Sequence, residues 1–537
     1  MGSALLINPS YLRTYGSNEG GIAYPVYPIL SLAAVAGAIK QRGHKVKILD
    51  LSYRRYDPDL IDREIAALRP DVVGITATTP LANQMRDISF LVKERFPGVQ
   101  VVAGGAHPSA LPIETMQESA LDAVAAGEQD YAIADLLDGK KLVDLGGMVW
   151  RGAGGDEVHV NPPQPLLERL DDLPLPAWED YPPECNSRVT KIVARHRPVT
   201  TIEFSRGCVF KCDFCASKNT MGLGYRKKSP ERCAEELAVL QRLGFREVVL
   251  VDDIFTSDNR WASLVCEAII RKGVRMAWTC TNGIRVDSCN RELFQLMRRA
   301  GCYRVYFGFE SGNDEVLKAF GKGGRATLEK GVQAVDMARE AGLEPNGFFQ
   351  VGLTGDSPAS MQDTINYART VKLDTMKCGM TVPFPGTPMF HELRMQGRIR
   401  TFDWDRYTVY QNAEEIFDHP TVSWPVVQAY LRKFYVEAYF KDPAYLWRRL
   451  GFMIRNHEMF WTMYYTVKFW FLLWGKSKGP EDERYAYRHL WEPRNLIPEQ
   501  LHVYDVPIAR KSAQRTGAVI AKLIPSPNTS DTSVPSL

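Results

Sequence analysis

The sequence predicts an α/β protein with a doubly wound N-terminal sheet, a partial parallel (β/α)6 barrel and a mainly helical C-terminal region. Two runs of alternating β-rich and helical segments support this, over residues 1–145 and 200–395, because such alternation is typical of parallel sheets covered by helices. The third observation is the aromatic-rich composition of residues 396–510. At 537 residues, the chain is long enough for several globular domains.

The first run predicts five parallel strands. The strands cover 4–10, 45–52, 71–79, 99–107 and 121–128, with helices near 29–43, 59–69, 81–96, 113–119 and 129–138. Right-handed crossovers make this sheet Rossmann-like or flavodoxin-like, and such sheets bind ligands at the carboxyl ends of their strands. The candidate binding residues at those ends are Asn8, Thr76, Gly104, Gly105, His107, Gly127 and Glu128.

Residues 146–199 are predicted to form a hairpin and a linker. The hairpin precedes the Pro-rich, acidic stretch "LERLDDLPLPAWEDYPP", which is typical of an extended connection between domains.

The second run predicts six βα units. Strands are expected at 200–205, 247–252, 276–281, 303–309, 346–352 and 376–383, with helices near 229–243, 259–272, 290–300, 313–319, 325–341 and 358–371. Parallel barrels place their active sites at the carboxyl ends of the strands. A loop rich in cysteine follows the first of these strands directly, which indicates chemistry at this edge.

That loop contains Cys208, Cys212 and Cys215 in the spacing C-x3-C-x2-C. Three thiolates can hold three irons of a [4Fe–4S] cluster and leave the fourth iron open for an outside ligand. The alternative is a zinc site completed by Cys185 or Cys233, but this spacing is a poor match for zinc.

The C-terminal region contains the most apolar stretch, residues 447–476. Arg455, His457, Glu458 and Lys468 interrupt it, so a bilayer-spanning helix is not expected. Two interpretations stay open: a core helix packed on the barrel, or peripheral membrane contact and an apolar pocket for a lipid-like substrate. The tail 511–537 is expected to be disordered.

Composition excludes some classes of protein. The net charge of +3 argues against a nucleic-acid partner. Ten cysteines, three clustered and seven scattered, match a reducing cytoplasm better than a secreted disulfide framework. No signal peptide is evident at "MGSALLINPS".

The cysteine motif "CVFKCDFC" resembles the signature of the radical S-adenosylmethionine enzymes, including Phe214 before the last cysteine. The barrel segments "VVLVDDIFTSDNRW", "VYFGFESGNDEVLK", "GFFQVGLTGDS" and "PFPGTPMF" resemble motifs of the branch with N-terminal cobalamin-binding domains. "RPDVVGITATTP", "VVAGGAHPSALP" and "LDAVAAGE" look like the cobalamin-binding domain itself. The resemblance covers roughly residues 4–395.

This resemblance implies three cofactors: a [4Fe–4S] cluster, S-adenosylmethionine and cobalamin. Cys208, Cys212 and Cys215 would ligate the cluster, and Phe214 would pack near the adenine. Asp252, Asp253, Glu310 and Ser311 are expected near the methionine and ribose groups, or alternatively as loop-capping residues. None of the nine histidines stands in a D-x-H-x-x-G motif, so cobalamin would bind without a protein histidine on cobalt.

The implied function is methylation of an unactivated carbon in a small-molecule or lipid-like biosynthetic intermediate. The resemblance extends to anaerobic magnesium-protoporphyrin cyclases, so an oxidative cyclase or rearrangement enzyme is the first alternative. A non-catalytic iron–sulfur or cobalamin sensor or carrier is the second. Flavodoxin or ferredoxin would be the electron donor, and the catalytic residues are not identified by the sequence.

Overall fold

The computed structural model describes most of the chain. The described residues are 1–12, 14, 27–152, 154, 157–181, 193–322, 325–408, 413–456, 458–474, 485–487, 490 and 519–522. Within them, the fold is the predicted α/β arrangement of two sheets and a helical C-terminal region.

The N-terminal sheet contains five parallel strands. These are β1 (Ser3–Asn8), β2 (Lys45–Asp50), β3 (Val72–Thr76), β4 (Gln100–Gly104) and β5 (Ala123–Ala125). Their order in space is β5-β4-β3-β1-β2, and each lies within a predicted strand segment or one residue beyond it. The order reverses direction between β1 and β3, which is the switch point where doubly wound sheets bind ligands.

Helices connect these strands, and all lie at the positions that the periodicity predicts except the short helix Ala106–Ala110, which begins inside the segment predicted as a strand (99–107). They are α1 (Leu30–Gln41), α2 (Pro58–Leu68), α3 (Ala82–Arg95), α4 (Ala106–Ala110), α5 (Pro112–Gln117) and α6 (Ala132–Leu137). The start of α2 illustrates the local cause: Pro58 occupies the first turn, and the Asp57 carboxylate accepts a hydrogen bond from the Leu60 amide at 3.1 Å.

The predicted hairpin consists of β6 (Met148–Arg151) and β7 (Glu157–Val160). It continues the N-terminal sheet, because β6 pairs with β5 in antiparallel orientation. The linker that follows is packed rather than loose: Trp178 is buried, and its indole Nε1 donates to the Thr201 carbonyl at 3.2 Å.

The second sheet begins with β8 (Val199–Ile202) and is followed at once by a small antiparallel ribbon, β9 (Ser205–Arg206) with β10 (Arg226–Lys227). The short helix α7 (Lys218–Met221) lies between the two ribbon strands in sequence. The ribbon therefore closes the base of the cysteine loop.

Five further parallel strands complete the second sheet. They are β11 (Glu247–Leu250), β12 (Ala277–Ile284), β13 (Cys302–Glu310), β14 (Glu344–Val351) and β15 (Thr375–Met380). The spatial order β8-β11-β12-β13-β14-β15 follows the chain, as expected for a partial barrel in which the first and last strands do not pair.

The barrel helices cover the outer face of this sheet. They are α8 (Pro230–Arg242), α9 (Asn259–Arg271), α10 (Arg291–Arg299), α11 (Asp314–Ala319), α12 (Leu328–Glu340) and α13 (Pro358–Thr370). Except for α11, whose Val316 and Leu317 belong to a small separate cluster, their buried faces join one apolar core cluster that extends into the N-terminal sheet and includes Trp178.

The C-terminal region is mainly helical. It contains α14 (Pro388–Met395), α15 (Ala413–Ile416), α16 (Trp424–Tyr435), a five-residue π-helix (Val436–Phe440), α17 (Pro443–Arg455) and α18 (Met459–Trp474). No helix in the described residues is both long enough and apolar enough to cross a bilayer.

The prediction of a disordered tail is wrong for one segment. Strand β16 (Val519–Lys522) pairs with β7 in antiparallel orientation and becomes the edge of the N-terminal sheet. Its backbone pairs with that of β7, which would otherwise be the open edge of the described sheet. The remainder of 511–537 lies outside the described residues.

Candidate functional site

The three-cysteine loop lies at the carboxyl end of β8, where the barrel rule places chemistry. Gly207 opens it in a left-handed conformation, with φ +86°. A Cβ at that position would lie 2.0 Å from the Gly224 carbonyl oxygen, so only glycine allows the loop to close. Cys208, Cys212 and Cys215 are all free and half-buried.

The donor set of this loop fits a cluster. Burial raises the pKa of Cys212 to about 11 and also raises that of Cys208, although the Arg285 guanidinium acts in the opposite direction on both. Among the described residues, no three His, Cys, Asp or Glu side chains converge on a point where one metal ion could bind. Three thiolates that each bind a different iron do not need such convergence.

The other described cysteines are placed differently. Cys233 is fully buried in the apolar core on α8, and burial raises its thiol pKa well above the usual range. It joins no metal-binding group in the described part of the chain. Cys185 lies outside the described residues.

Phe214 anchors the loop to the barrel. Its ring meets the Phe320 ring edge-on at 5.6 Å, in a small apolar cluster that also contains Leu353. The Asp213 amide donates to the Phe320 carbonyl at 3.2 Å. The end of α11 therefore supports the loop from below.

Arg285 is a loop contact that the sequence analysis missed. Its guanidinium lies 3.6 Å from the centroid of the Phe210 ring, between the first two cysteines. Asp287 fixes this arginine through a 3.0 Å ion pair. Arg285 and Phe210 are 75 positions apart in the sequence, so no local spacing predicts their contact.

Glu310 stands at the carboxyl end of β13 in a strained conformation, with φ +64°. Lys322 Nζ lies 3.0 Å from one carboxylate oxygen, and Gln350 Nε2 donates to the other at 2.9 Å. Gln350 in turn accepts from the Thr381 hydroxyl at 3.1 Å. Three adjacent strand ends thus hold one carboxylate in place beside the cysteine loop.

Asp252 and Asp253 contact the backbone that leads into the cysteine loop. The Asp252 carboxylate accepts from the Phe204 amide at 2.7 Å and from the Ser205 hydroxyl. Asp253 accepts from the Gly207 amide at 3.0 Å. Burial raises the pKa of both carboxyl groups, that of Asp252 to about 7. These contacts match the loop-capping alternative.

Ser311 also makes structural contacts. Its hydroxyl lies 3.3 Å from that of Thr364 and accepts from the Asn313 amide at 3.2 Å. The side chain is buried between β13 and α13.

In the N-terminal sheet, several candidate residues meet at the carboxyl edge of the strands. The Asn8 amide donates to the Asp50 carboxylate at 2.8 Å, across the ends of β1 and β2. Thr76 is half-buried at the end of β3. Gly105 has φ +102°, and a Cβ there would lie 2.8 Å from the Ala77 carbonyl, so its neighbours require glycine. At Gly104 a Cβ would make only an ordinary contact.

Two features of this edge fit a large cofactor. A Cβ at Gly127 would meet nothing within 4 Å, so the backbone there borders open space. His107 is fully buried, and neither of its ring nitrogens has a hydrogen-bond partner among the described residues. The same holds for the indole Nε1 of Trp404, whose ring lies 4.9 Å from that of His107. Orphaned buried polar atoms indicate a missing partner. Burial keeps the pKa of His107 well below its usual range, so the imidazole is neutral.

Glu128 is placed at the junction between the N-terminal domain and the barrel. Its carboxylate pairs with Arg206 at 2.6 Å and with Arg226 at 2.7 Å. Arg206 also pairs with Asp130 at 2.7 Å and with Glu203, and burial leaves it 5% exposed. Because Arg206 stands two residues before Cys208, this buried ion-pair network joins the N-terminal sheet to the cysteine loop.

Comparison with known families gives two matches. Residues 202–368 match the model of the radical SAM superfamily, and residues 22–137 match the model of the B12 binding domain. An uncharacterised methyltransferase of Pyrococcus horikoshii is 30% identical, over 80% of this chain and 92% of its own length. The anaerobic magnesium-protoporphyrin IX monomethyl ester cyclase of Rubrivivax gelatinosus is 26% identical, over 75% of this chain and 72% of its own.

A solved structure shares the fold. The radical S-adenosylmethionine methyltransferase TsrM from Kitasatospora setae, with cobalamin and a [4Fe–4S] cluster bound, matches with a TM-score of 0.63. The match covers 80% of this chain and 88% of that one at 19% identity.

Proposed function

Because this chain belongs to the family of cobalamin-dependent radical S-adenosylmethionine methyltransferases, we propose that it methylates an unactivated carbon of a small-molecule or lipid-like biosynthetic intermediate. One observation carries the proposal. The three-cysteine loop stands at the carboxyl edge of the barrel, and Arg206 beside it is tied to Glu128 and Asp130 of the B12-binding domain. The two cofactor-bearing units are thus joined directly at the loop.

Cys208, Cys212 and Cys215 are proposed to hold the [4Fe–4S] cluster, with Phe214 packing beside the adenine of S-adenosylmethionine. When bound, the cluster and S-adenosylmethionine supply a 5′-deoxyadenosyl radical for hydrogen abstraction, and cobalamin supplies the methyl group. Glu310, held by Lys322 and Gln350, offers a fixed negative charge for the amine of S-adenosylmethionine. Asp252, Asp253 and Ser311 instead position the backbone around the site.

In the N-terminal domain, cobalamin is proposed to lie against the edge formed by Asn8, Thr76, Gly104, Gly105 and Gly127. His107 is proposed to contact the cofactor or a water molecule bound with it, because its buried ring nitrogens are orphaned in the described residues. Its neutral imidazole can donate one hydrogen bond and accept another.

An electron donor of low potential is also required, and we propose a flavodoxin or ferredoxin. The nine described cysteines are all free thiols, which supports a reducing cytoplasmic setting.

The test is an anaerobic assay of the reconstituted enzyme with S-adenosylmethionine that carries a trideuterated methyl group, a chemical reductant and a metabolite and lipid extract of the source cells. Methyl transfer predicts 5′-deoxyadenosine, S-adenosylhomocysteine and a product that has gained one deuterated methyl group. The two by-products arise because one S-adenosylmethionine supplies the radical and a second supplies the methyl group.

A cyclase or rearrangement activity is the second candidate, since the Rubrivivax gelatinosus cyclase is similar over most of this chain. In that case, the assay yields 5′-deoxyadenosine without S-adenosylhomocysteine and without a deuterated product. This outcome would contradict the methyltransferase proposal.

A further inference from the structure

Helix α17 presents an apolar face to solvent. Leu446, Trp447, Leu450 and Ile454 are all exposed, with Trp447 at 78%. Their spacing places them along one side of the helix. The opposite side carries the buried Tyr445 and Phe452. The helix is therefore anchored on one side and leaves large hydrophobic side chains uncovered on the other.

Helix α18, which follows in the chain, carries a second set of exposed apolar side chains. Met459, Phe460, Met463 and Val467 are exposed, with Phe460 at 73%. The two helices contact each other, and the Arg449 guanidinium donates to the Thr462 hydroxyl across them at 3.0 Å. Ten of the nineteen exposed large hydrophobic side chains in the described residues lie between 440 and 467. Exposed apolar residues are thus concentrated in this segment, whereas those of a typical surface are scattered singly. We refer to the exposed face of α17 and α18 as the apolar face.

The accessible charges that the described residues of 441–467 carry have one sign. Lys441 and Arg455 are exposed, and Arg448 is half-buried. The two acidic residues of 441–467 are both buried. Asp442 caps α17 by accepting from the Ala444 amide at 3.0 Å, and Glu458 lies 3.9 Å from Arg304 and 4.0 Å from Arg449.

We propose that the apolar face docks on a lipid surface that contains anionic headgroups, with α17 and α18 lying parallel to it. Large aromatic and aliphatic side chains combined with basic residues are typical of helices that bind at a membrane interface. Basic residues near such a surface gain attraction from anionic lipids. A symmetric pair of chains fits less well, because each copy would bring its own basic residues toward those of the other.

This inference goes beyond the methyl-transfer chemistry, since it concerns where the enzyme works. It places the barrel beside a bilayer and gives a lipid-like substrate a short path to the enzyme. Docking does not require the cofactors to react, so it can fail while the proposed function holds.

The test is flotation of the reconstituted, full-length enzyme with vesicles. One set contains phosphatidylcholine alone, and the other adds phosphatidylglycerol at about 30%, a level that gives a negative surface potential. The enzyme is expected to float with the anionic vesicles and to float less as salt is raised, because salt screens the basic residues.

Two substitutions test the face itself. Trp447→Glu combined with Phe460→Glu is expected to reduce the floated fraction at least about tenfold, because charge replaces the inserted aromatic rings. The matched control is Val143→Glu combined with Leu264→Glu, which changes apolar residues that are 54% and 45% exposed elsewhere on the surface. Retained cobalamin and an unchanged circular dichroism spectrum establish that each variant is folded.

The proposal is overturned if the wild type does not float with anionic vesicles, or if the Trp447 and Phe460 double variant floats as well as the wild type. Light scattering without vesicles tests whether a second copy of the chain covers the apolar face instead. Self-association that the double variant abolishes, together with no flotation, would assign the face to a second copy of the chain.

Discussion

At the scale of single residues, the candidate site contains two kinds of carboxylate. The backbone of Glu310 is strained, at a cost on the order of 1–3 kcal/mol that is typical of functional positions. Lys322 and Gln350 hold its carboxylate in place. The carboxylates of Asp252 and Asp253 instead accept hydrogen bonds from backbone amides that precede Cys208 in the sequence. The strand-end rule predicts that all three lie near the site, but only the contacts separate a carboxylate held by other side chains from carboxylates that cap the backbone.

Glu128 provides a test of the junction. Replacing it with Gln removes the charge that faces Arg206 and Arg226, so the free energy of unfolding should fall by roughly 1.5–3 kcal/mol. Cobalamin affinity should stay near that of the wild type. Chemical denaturation and cobalamin titration measure the two quantities.

The control for this substitution is Glu179→Gln, which breaks an exposed pair with Lys40 and should cost less than about 1 kcal/mol. Loss of cobalamin binding in Glu128→Gln without a loss of stability would show that Glu128 contacts the cofactor instead.

The raised pKa of Asp252 predicts that the stability of the protein depends on pH. Its folded pKa of about 7 lies above the usual aspartate value of 3.8, so between these values the native state holds a proton that the unfolded chain releases. The stabilisation that this proton gives the native state is fully present below pH 3.8 and is lost as the pH rises through 7. The free energy of unfolding of the wild type should therefore decline between pH 5 and pH 7.5, on the order of a few kcal/mol, more steeply than that of Asp252→Asn. Denaturant titrations at several pH values measure both slopes, and equal slopes would contradict this assignment.

At the scale of elements, the sequence predicts helices and strands closely. Helix α9, expected at 259–272, is found at Asn259–Arg271 because the Asp258 carboxylate caps its first turn by accepting from the Trp261 amide at 3.0 Å. Periodicity and caps are local signals, and they are visible in the sequence. The pairing of β16 with β7 joins residues about 360 positions apart, and no local signal in the sequence predicts it.

The open edge of the barrel shows another feature that local patterns do not reveal. Among the described residues, strand β15 pairs with no strand on one side, yet tyrosine hydroxyls of the C-terminal region cover its backbone there. Tyr435 accepts from the Cys378 amide at 3.0 Å and donates to its carbonyl at 2.8 Å. Tyr439 does the same for Met376, and Tyr445 donates to the Asp374 carbonyl at 3.3 Å. These hydroxyls stand where the next strand of a closed barrel would be.

Tyr435→Phe should therefore destabilise the protein, because it leaves two buried backbone groups of Cys378 without their partner. The expected loss is about 1–3 kcal/mol in the free energy of unfolding, measured by chemical denaturation. Tyr430→Phe, at a half-buried position of the same helix, is the control and should change stability little. Equal effects of the two substitutions would show that the edge contacts contribute nothing specific.

At the scale of the whole molecule, two cofactor-binding units fold side by side. The linker packs Trp178 between them, and the network around Arg206 connects them at the cysteine loop. The sequence motifs predict the cofactors and their approximate places. They do not predict the junction, because its members come from residues 128–130, 203–206 and 226, which only the tertiary fold brings together.

The most direct test of this account is cofactor analysis of Cys212→Ala after anaerobic reconstitution, with iron and cobalamin quantified and 5′-deoxyadenosine assayed. Cys266→Ala, which changes a buried cysteine in the core of α9, is the control and should retain both cofactors. We predict that Cys212→Ala loses the cluster and all 5′-deoxyadenosine formation while cobalamin stays bound at the wild-type ratio. A variant that keeps producing 5′-deoxyadenosine, or that loses cobalamin together with the cluster, would contradict the assignment of the two cofactors to separate units.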